Sequence, residues 1–126
     1  MAKTAIRTAR APQPAGPYSQ AIEAGGVIYT AGFGPQDPQT GEVAPTVAEQ
    51  TRQALRNIGA VLEERGLTLK DCVRTTVHLA DLADFAEFNA AYGEFFSEPY
   101  PVRTTVGSEL SGIRVEINAI AVRPER

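Results

Sequence analysis

Two residues of opposite charge stand in strand-like surroundings near the end of the chain: Arg103 in PVRTTV and Glu116 in VEINAIAV. A guanidinium is a planar fork that suits carboxylate recognition. A carboxylate can position a water molecule as a general base. Each residue also has a plain reading. Arg103 could be half of a cross-strand ion pair, contributing about 0.2–1 kcal/mol if exposed, and Glu116 could be a solvated strand residue. Asn89 falls between Phe85, Phe88 and Tyr92 on a helical wheel, so its amide needs a hydrogen-bond partner beside a buried stripe. Tyr18, which follows Gly16-Pro17, is either core or an aromatic wall for a ligand.

Other chemistries lose ground on composition. One His and one Cys cannot make a zinc site, and Cys72, being alone, forms no internal disulfide. His78 and Cys72 share a strand six residues apart, roughly 20 Å at strand rise, too far for a Cys-His nucleophilic pair; His78 reads as structural. There is no GxSxG, HExxH, Walker or EF-hand signature, and the GxG of Gly32–Gly34 lacks the further glycine of a dinucleotide fingerprint. A net charge of −3 gives no basic footprint for nucleic acid. The amino-terminal stretch lacks an apolar signal region, and no apolar run approaches the roughly 20 residues of a membrane span. A cytoplasmic chain of one domain over residues 1–126 is expected, without membrane or nucleic-acid partners.

The elements that must position these residues follow from periodicity. Lys3–Thr8 is a short strand ended by the proline-rich APQPAGP. Tyr18–Ala24 and Val27–Ala31 form a hairpin about Gly25-Gly26. Thr46 and Glu49 make a capping box for a helix whose Val47, Leu55, Ile58 and Leu62 recur at helical spacing until Gly66. Asp71–Ala80 alternates as a strand, with Val73, Val77 and Leu79 on one side and Cys72, Arg74, Thr76 and His78 on the other. A second helix follows, capped by Asp84 with Glu87, its stripe being Phe85, Phe88, Tyr92 and Phe95. In the last two strands, Val102, Thr104 and Val106 are set against Arg103 and Thr105, and Val115, Ile117, Ala119 and Ala121 against Glu116 and Asn118. Period two predicts that Arg103, Thr105 and Glu116 look away from the apolar side. The order β-β-β-α-β-α-β-β, with right-handed crossovers, puts both helices on one sheet face. The other face is partly apolar through Ile120 and Val122, which predicts a homo-oligomer.

The blocks PAGPYSQAI, IYTAGFGPQDPQTGEV, VRTTVHLADLADFAEFNAAYGEFF, PVRTTV and VEINAIA, in this order and over nearly the whole chain, resemble the Rid family of reactive-intermediate imine deaminases, also called the YjgF family. The resemblance implies an α+β, chorismate mutase-like fold: a mixed six-stranded sheet with two helices on one face, assembled as a homotrimer with a site in each cleft between subunits. It also implies that the last strand lies between the two strands flanking the first helix. Arg103 and Glu116 of one chain are then apart, and the Arg of one subunit meets the Glu of its neighbour.

The activity so implied is hydrolysis of 2-imino or enamine acids to 2-keto acids and ammonia, without a cofactor or metal. Carried over by position, Arg103 pairs with the substrate carboxylate, Glu116 holds the attacking water and Thr105, next to Thr104, offers backbone groups near the imine. Tyr18, Gly32 and Asn89 match pocket-lining positions. Thr105 stands where close relatives of the best-known deaminases have Cys, and Ala31-Gly32-Phe33 where they have Ser-Gly-Gln. The second departure implies a pocket reshaped for a larger or more apolar imino acid. Two other readings stand beside the enzyme: a non-catalytic module binding a small carboxylic acid such as a 2-keto acid, and an endoribonuclease, for which an acidic chain without a His pair offers little.

Overall fold

The structure, a computed structural model, describes residues 2–125. Its elements are β1 (Thr4–Ile6), β2 (Ala21–Ala24), β3 (Val27–Thr30), α1 (Val47–Glu63), β4 (Cys72–Leu79), α2 (Phe85–Gly93), β5 (Val102–Gly107) and β6 (Val115–Val122). Short 3-10 turns at Leu69–Asp71 and Leu82–Asp84 lead into β4 and α2. The β2–β3 hairpin turns on Gly25 and Gly26, at φ 59° and 79°. Side chains other than hydrogen meet their own backbone at such angles, so the glycine pair fixes the turn.

The Thr46 hydroxyl caps α1 by accepting from the Glu49 N–H at 3.2 Å. The reciprocal half of the expected box is replaced by an ion pair of Glu49 with Arg52 at 2.6 Å. Val47, Leu55, Ile58 and Leu62 are buried, as their spacing predicts. The start of α2 corrects the sequence reading. Asp84 makes no cap bond; its carboxylate pairs with Arg114 at 3.2 Å, while Asp81 accepts from the Ala83 N–H at 2.9 Å. The chain enters α2 through a 3-10 turn, so the capping position lies three residues earlier. Phe88 and Tyr92 of the stripe are buried; Phe85, the first residue of α2, is exposed, and Phe95, two residues past the helix end at Gly93, is partly covered.

All six strands form one sheet in the order β1-β2-β3-β6-β4-β5. β6 runs antiparallel to both β3 and β4, and β5 runs parallel to β4 at the sheet edge. The last two strands therefore do not pair as a hairpin, and β4 separates Arg103 from Glu116. Core residues such as Ile28, Ile58, Val77, Phe88 and Ile117 lie between the sheet and the helices.

The register also corrects the expectation that Arg103, Thr105 and Glu116 share a face. Arg103 and Thr105 stand beside Thr75 and Val77 of β4, which are fully buried on the helix side. Glu116 stands beside His78 and alternates with buried Val115 and Ile117, so it lies on the open side. Polarity and direction are inverted in β5: Val102 and Val106 are exposed on the open face, while the helix side accepts a cation because α2 lines it with aromatic rings. In β4 a register shift between Cys72 and Arg74 breaks the simple alternation. Cys72 turns into the core and Val73 outward.

Candidate active site

Glu116 borders a cavity of about 310 Å³ lined also by Tyr18, Gly32, Phe33, Pro12 and Ile113. The local backbone explains why these residues meet. Tyr29 pairs with Ile120, yet Phe33 pairs with Ile117, so the chain leaving β3 carries one extra residue relative to β6. The excess falls at Ala31-Gly32. Around it the Thr30 hydroxyl accepts from the Ala119 N–H at 2.9 Å, the Ala31 N–H donates to the Gln20 carbonyl at 2.8 Å, and regular pairing resumes when the Phe33 N–H donates to the Ile117 carbonyl at 2.7 Å. A bulge of this kind re-aims the strand, and here it brings the Gly32 Cα against the Glu116 side chain. Phe33 itself is 5% exposed, so it belongs to the core as much as to the cavity wall. Ala31 is half-buried beside it.

Two buried amides, which the sequence reading did not single out, hold the rim. Gln20 is 1% exposed; its carbonyl oxygen accepts from the Thr8 N–H at 2.8 Å, and its NH₂ donates to the carbonyls of Thr8, Ala11 and Pro12 at 3.1, 3.3 and 2.9 Å. The proline-rich strap is thereby pinned to the start of β2. Tyr18, half exposed, rests on this strap and accepts from the Ala15 N–H at 3.1 Å. On the other side, Asn57 of α1 donates to the Gly34 and Gln36 carbonyls at 3.1 and 3.0 Å. A signal was available for Asn57: it is a polar amide inside the buried periodicity of Ala54, Leu55, Ile58 and Val61.

The second group lies at the β5 edge. The Arg103 guanidinium carbon is 4.8 Å from the Tyr92 ring centroid, 5.3 Å from Phe88 and 5.6 Å from Phe85. Cations are attracted to ring faces at such distances. The platform is braced from below, where the Tyr92 and Thr75 hydroxyls are 2.7 Å apart in a buried hydrogen bond. Burial pushes the Tyr92 phenol above its ordinary pKa, with the Thr75 bond and the Arg103 charge acting in the opposite direction. No carboxylate pairs with Arg103 among the described residues. Asn89 is half-buried on the same helix, Thr105 is half-buried on the helix side of β5, and Thr104 is exposed on the open side.

Within one chain the structure therefore gathers Tyr18, Gly32, Phe33 and Glu116 at one cavity. It leaves Arg103, Asn89, Thr104 and Thr105 at the far edge of the sheet. His78 bonds through Nδ1 to the Ser108 hydroxyl at 2.7 Å. Burial pushes the Cys72 thiol up to about 12, so at neutral pH it is not a nucleophile. No cluster of metal-ligating side chains occurs among the described residues, nor is any helix there long and apolar enough to cross a membrane.

The family described as Endoribonuclease L-PSP matches residues 8–123. A protein of Escherichia coli K12 named 2-iminobutanoate/2-iminopropanoate deaminase is 45% identical, covering 98% of this chain and 99% of its own length. A RutC family protein of Pyrococcus abyssi is 47% identical over 98% of this chain and 99% of its own. Among solved structures, the YjgF gene product of E. coli superposes with a TM-score of 0.91 at 44% identity, covering 96% of this chain and 99% of that one. E. coli TdcF with bound serine does so with a TM-score of 0.91 at 40% identity and the same coverage. With a match spanning nearly the full length and the sheet order of the fold in agreement, the chain belongs to the Endoribonuclease L-PSP family, the family also called YjgF or Rid.

Proposed function

We propose that this protein hydrolyses short-lived 2-imino acids, or their enamine forms, to 2-keto acids and ammonia. The observation that carries the reading is Arg103: a half-buried guanidinium seated on three aromatic rings, with no carboxylate partner among the described residues. Such a group is preset to receive a small carboxylate. The relatives named as deaminases of 2-iminobutanoate and 2-iminopropanoate support the substrate class.

In this reading Arg103 orients the imino acid through its carboxylate, and Glu116 holds a water molecule at the imine carbon. Glu116 takes a proton as the oxygen attacks, the C=N bond becomes a C–N single bond, and the proton passes to nitrogen. The hydroxyl proton then passes to nitrogen by way of Glu116 as the C–N bond breaks, leaving the ketone and ammonia. An imine is already electrophilic, so orientation and a positioned base supply most of what the reaction needs. Thr104, Thr105 and Asn89 would line the Arg103 side, and Tyr18, Ala31, Gly32 and Phe33 the Glu116 side.

A complete site needs both halves, and one chain holds them on opposite faces of the sheet. We therefore infer that Arg103 of one copy faces Glu116 of the next in a homotrimer with one site per cleft. The exposed Tyr29, Val73, Val102 and Val122 give the uncovered face apolar area that assembly would bury.

A non-catalytic carboxylate-binding module is the second reading, favoured by one observation: the similar TdcF structure holds serine, an amino acid rather than an imine. A ribonuclease reading rests on the family description and is opposed by the net charge of −3 and single histidine. The deciding experiment is a coupled assay that generates 2-iminobutyrate and 2-aminoacrylate in situ, with wild type and Arg103→Ala. Acceleration that disappears in the variant is expected. Carboxylate binding with no acceleration, on these or bulkier imines, would replace the enzyme with the binding module.

A further inference from the structure

A larger concavity lies in the helix layer, apart from the residues of the candidate active site. It is a groove of about 620 Å³ with Leu55, Gly59 and Ala60 of α1 as its floor and Leu69 and Phe95 as its walls. Arg10, Arg56, Glu63, Thr68 and Lys70 complete the lining. Their charges are not equally free. Arg10 is engaged by Glu63 at 3.1 Å and by Glu64 at 3.2 Å. Arg56 has only a 3.3 Å bond to the Gln53 amide oxygen, with Asp37 near enough to feel its charge. Among the described residues, neither Arg56 nor Lys70 is in a salt bridge. The groove thus pairs an apolar floor with two rim cations, Arg56 and Lys70, that no salt bridge engages among the described residues.

Gly59 gives the groove a second, independent mark. It stands in the interior of a 17-residue helix, where glycine is about 1 kcal/mol less favourable than alanine. Neither of the usual reasons for glycine applies. Its φ is not among the positive ones, and an added Cβ would meet nothing closer than the Leu69 Cγ at 3.9 Å, an ordinary contact. What a side chain there would take up is the floor of the groove.

We propose that this groove is a binding site for a small organic anion with an apolar body, a ring or short chain bearing a carboxylate or sulfonate. The body lies on Gly59 between Leu69 and Phe95, and the anionic group is held between Arg56 and Lys70. The volume is in the range that ligands of this size occupy, and the charge complementarity selects an anion over a neutral molecule. The site is independent of the imine reading, because it shares no residue with it.

The test uses 1-anilinonaphthalene-8-sulfonate as the probe and N-phenyl-1-naphthylamine as its uncharged counterpart, titrated by fluorescence. The proteins are wild type, Gly59→Leu, which fills the floor, and the Arg56→Gln/Lys70→Gln pair, which removes the rim charge. Saturable binding of the sulfonate to wild type is expected, weakened at least about tenfold in both variants. The neutral probe should be lost in Gly59→Leu and little changed in the charge pair. Circular dichroism and thermal midpoint show that each variant is folded; should Gly59→Leu fail to fold, Gly59→Ala serves, with a smaller loss of probe and an unchanged or raised midpoint. No saturable binding to wild type would overturn the proposal. Equal binding by all three proteins would also overturn it, placing the dye on the open sheet face. Loss in Gly59→Leu alone would overturn the assignment to an anion.

Discussion

The carboxyl group of Glu116 occupies the space that a side chain at position 32 would need: a Cβ on Gly32 would lie 2.9 Å from its Cδ and 3.0 Å from its Oε1. The glycine is required by this approach and not by its backbone, since Gly32 is not among the residues of positive φ. Gly32→Ala should therefore displace the carboxylate without straining the chain. Misplacement of a reacting group by about 1 Å can cost about 100-fold in rate. The expected result is a kcat/KM for imine hydrolysis lowered by that order with an unchanged thermal midpoint; full activity would remove Glu116 from the reaction.

Arg103→Lys keeps the positive charge but loses the planar fork and its broad stacking on Tyr92 and Phe88. If the fork orients the substrate, KM should rise by about tenfold or more while the protein stays folded. Kinetics indistinguishable from wild type would reduce Arg103 to a diffuse charge.

Mixing Arg103→Ala with Glu116→Gln subunits separates a shared site from a self-contained one. Each variant alone should be inactive. In randomly mixed trimers a site is intact when its Arg comes from one variant and its Glu from the other, so roughly a quarter of wild-type activity should return, one half times one half. Activity that stays at the level of the single variants after verified subunit exchange would mean that both halves belong to one chain.

Gln20→Ala removes one amide that serves four backbone groups of the strap. Leaving buried backbone groups without partners costs about 1–3 kcal/mol, and that loss should appear in urea unfolding as a lower midpoint at unchanged slope. Because the same strap supports Tyr18, KM should rise as well. A variant as stable as wild type would show that the strap is held by other contacts.

Glu23 of β2 ties together the segments that follow α1 and β6 by receiving Arg123 at 2.7 Å and Arg65 at 3.1 Å. The Arg123 hydrogen bond is the main cause that holds its carboxyl below the ordinary value; burial opposes it and Arg65 adds to it. A lowered folded-state pKa means stability that is fully present above the unfolded value, about 4.3, and lost as pH falls through the folded one. Wild type should therefore exceed Glu23→Gln in thermal midpoint by a constant margin from pH 8 to about pH 5, a margin that narrows below about pH 4. A margin independent of pH would assign the difference to packing.

Local order was legible where one residue type decides a conformation. Gly25-Gly26 could only be a tight turn, and Thr46 marked the start of α1. Facing was less legible. Alternation in β5 predicts the valines inward, but an edge strand over an aromatic helix turns its half-buried arginine to the rings and exposes its valines, a choice made by α2 and invisible in β5 itself. The same limit applies to Gly32 and Glu116, which meet only because β6 inserts between β3 and β4. That insertion is implied by the family resemblance; two consecutive strands joined by a short loop flanked by Gly107 and Gly112 would by themselves pair as a hairpin. Gln20 and Asn57 were missed because a buried amide resembles a surface one until its partners are known.

The shift in β4 that turns Cys72 inward also decides how the protein meets oxidants. Peroxides and thiol reagents act on thiolates that they can reach. The chain's only cysteine is 6% exposed and its thiol is pushed up to about 12 by burial, and the position two residues beyond Arg103 holds Thr105. The proposed chemistry depends on no sulfur, so oxidants that act on thiols should leave it unchanged.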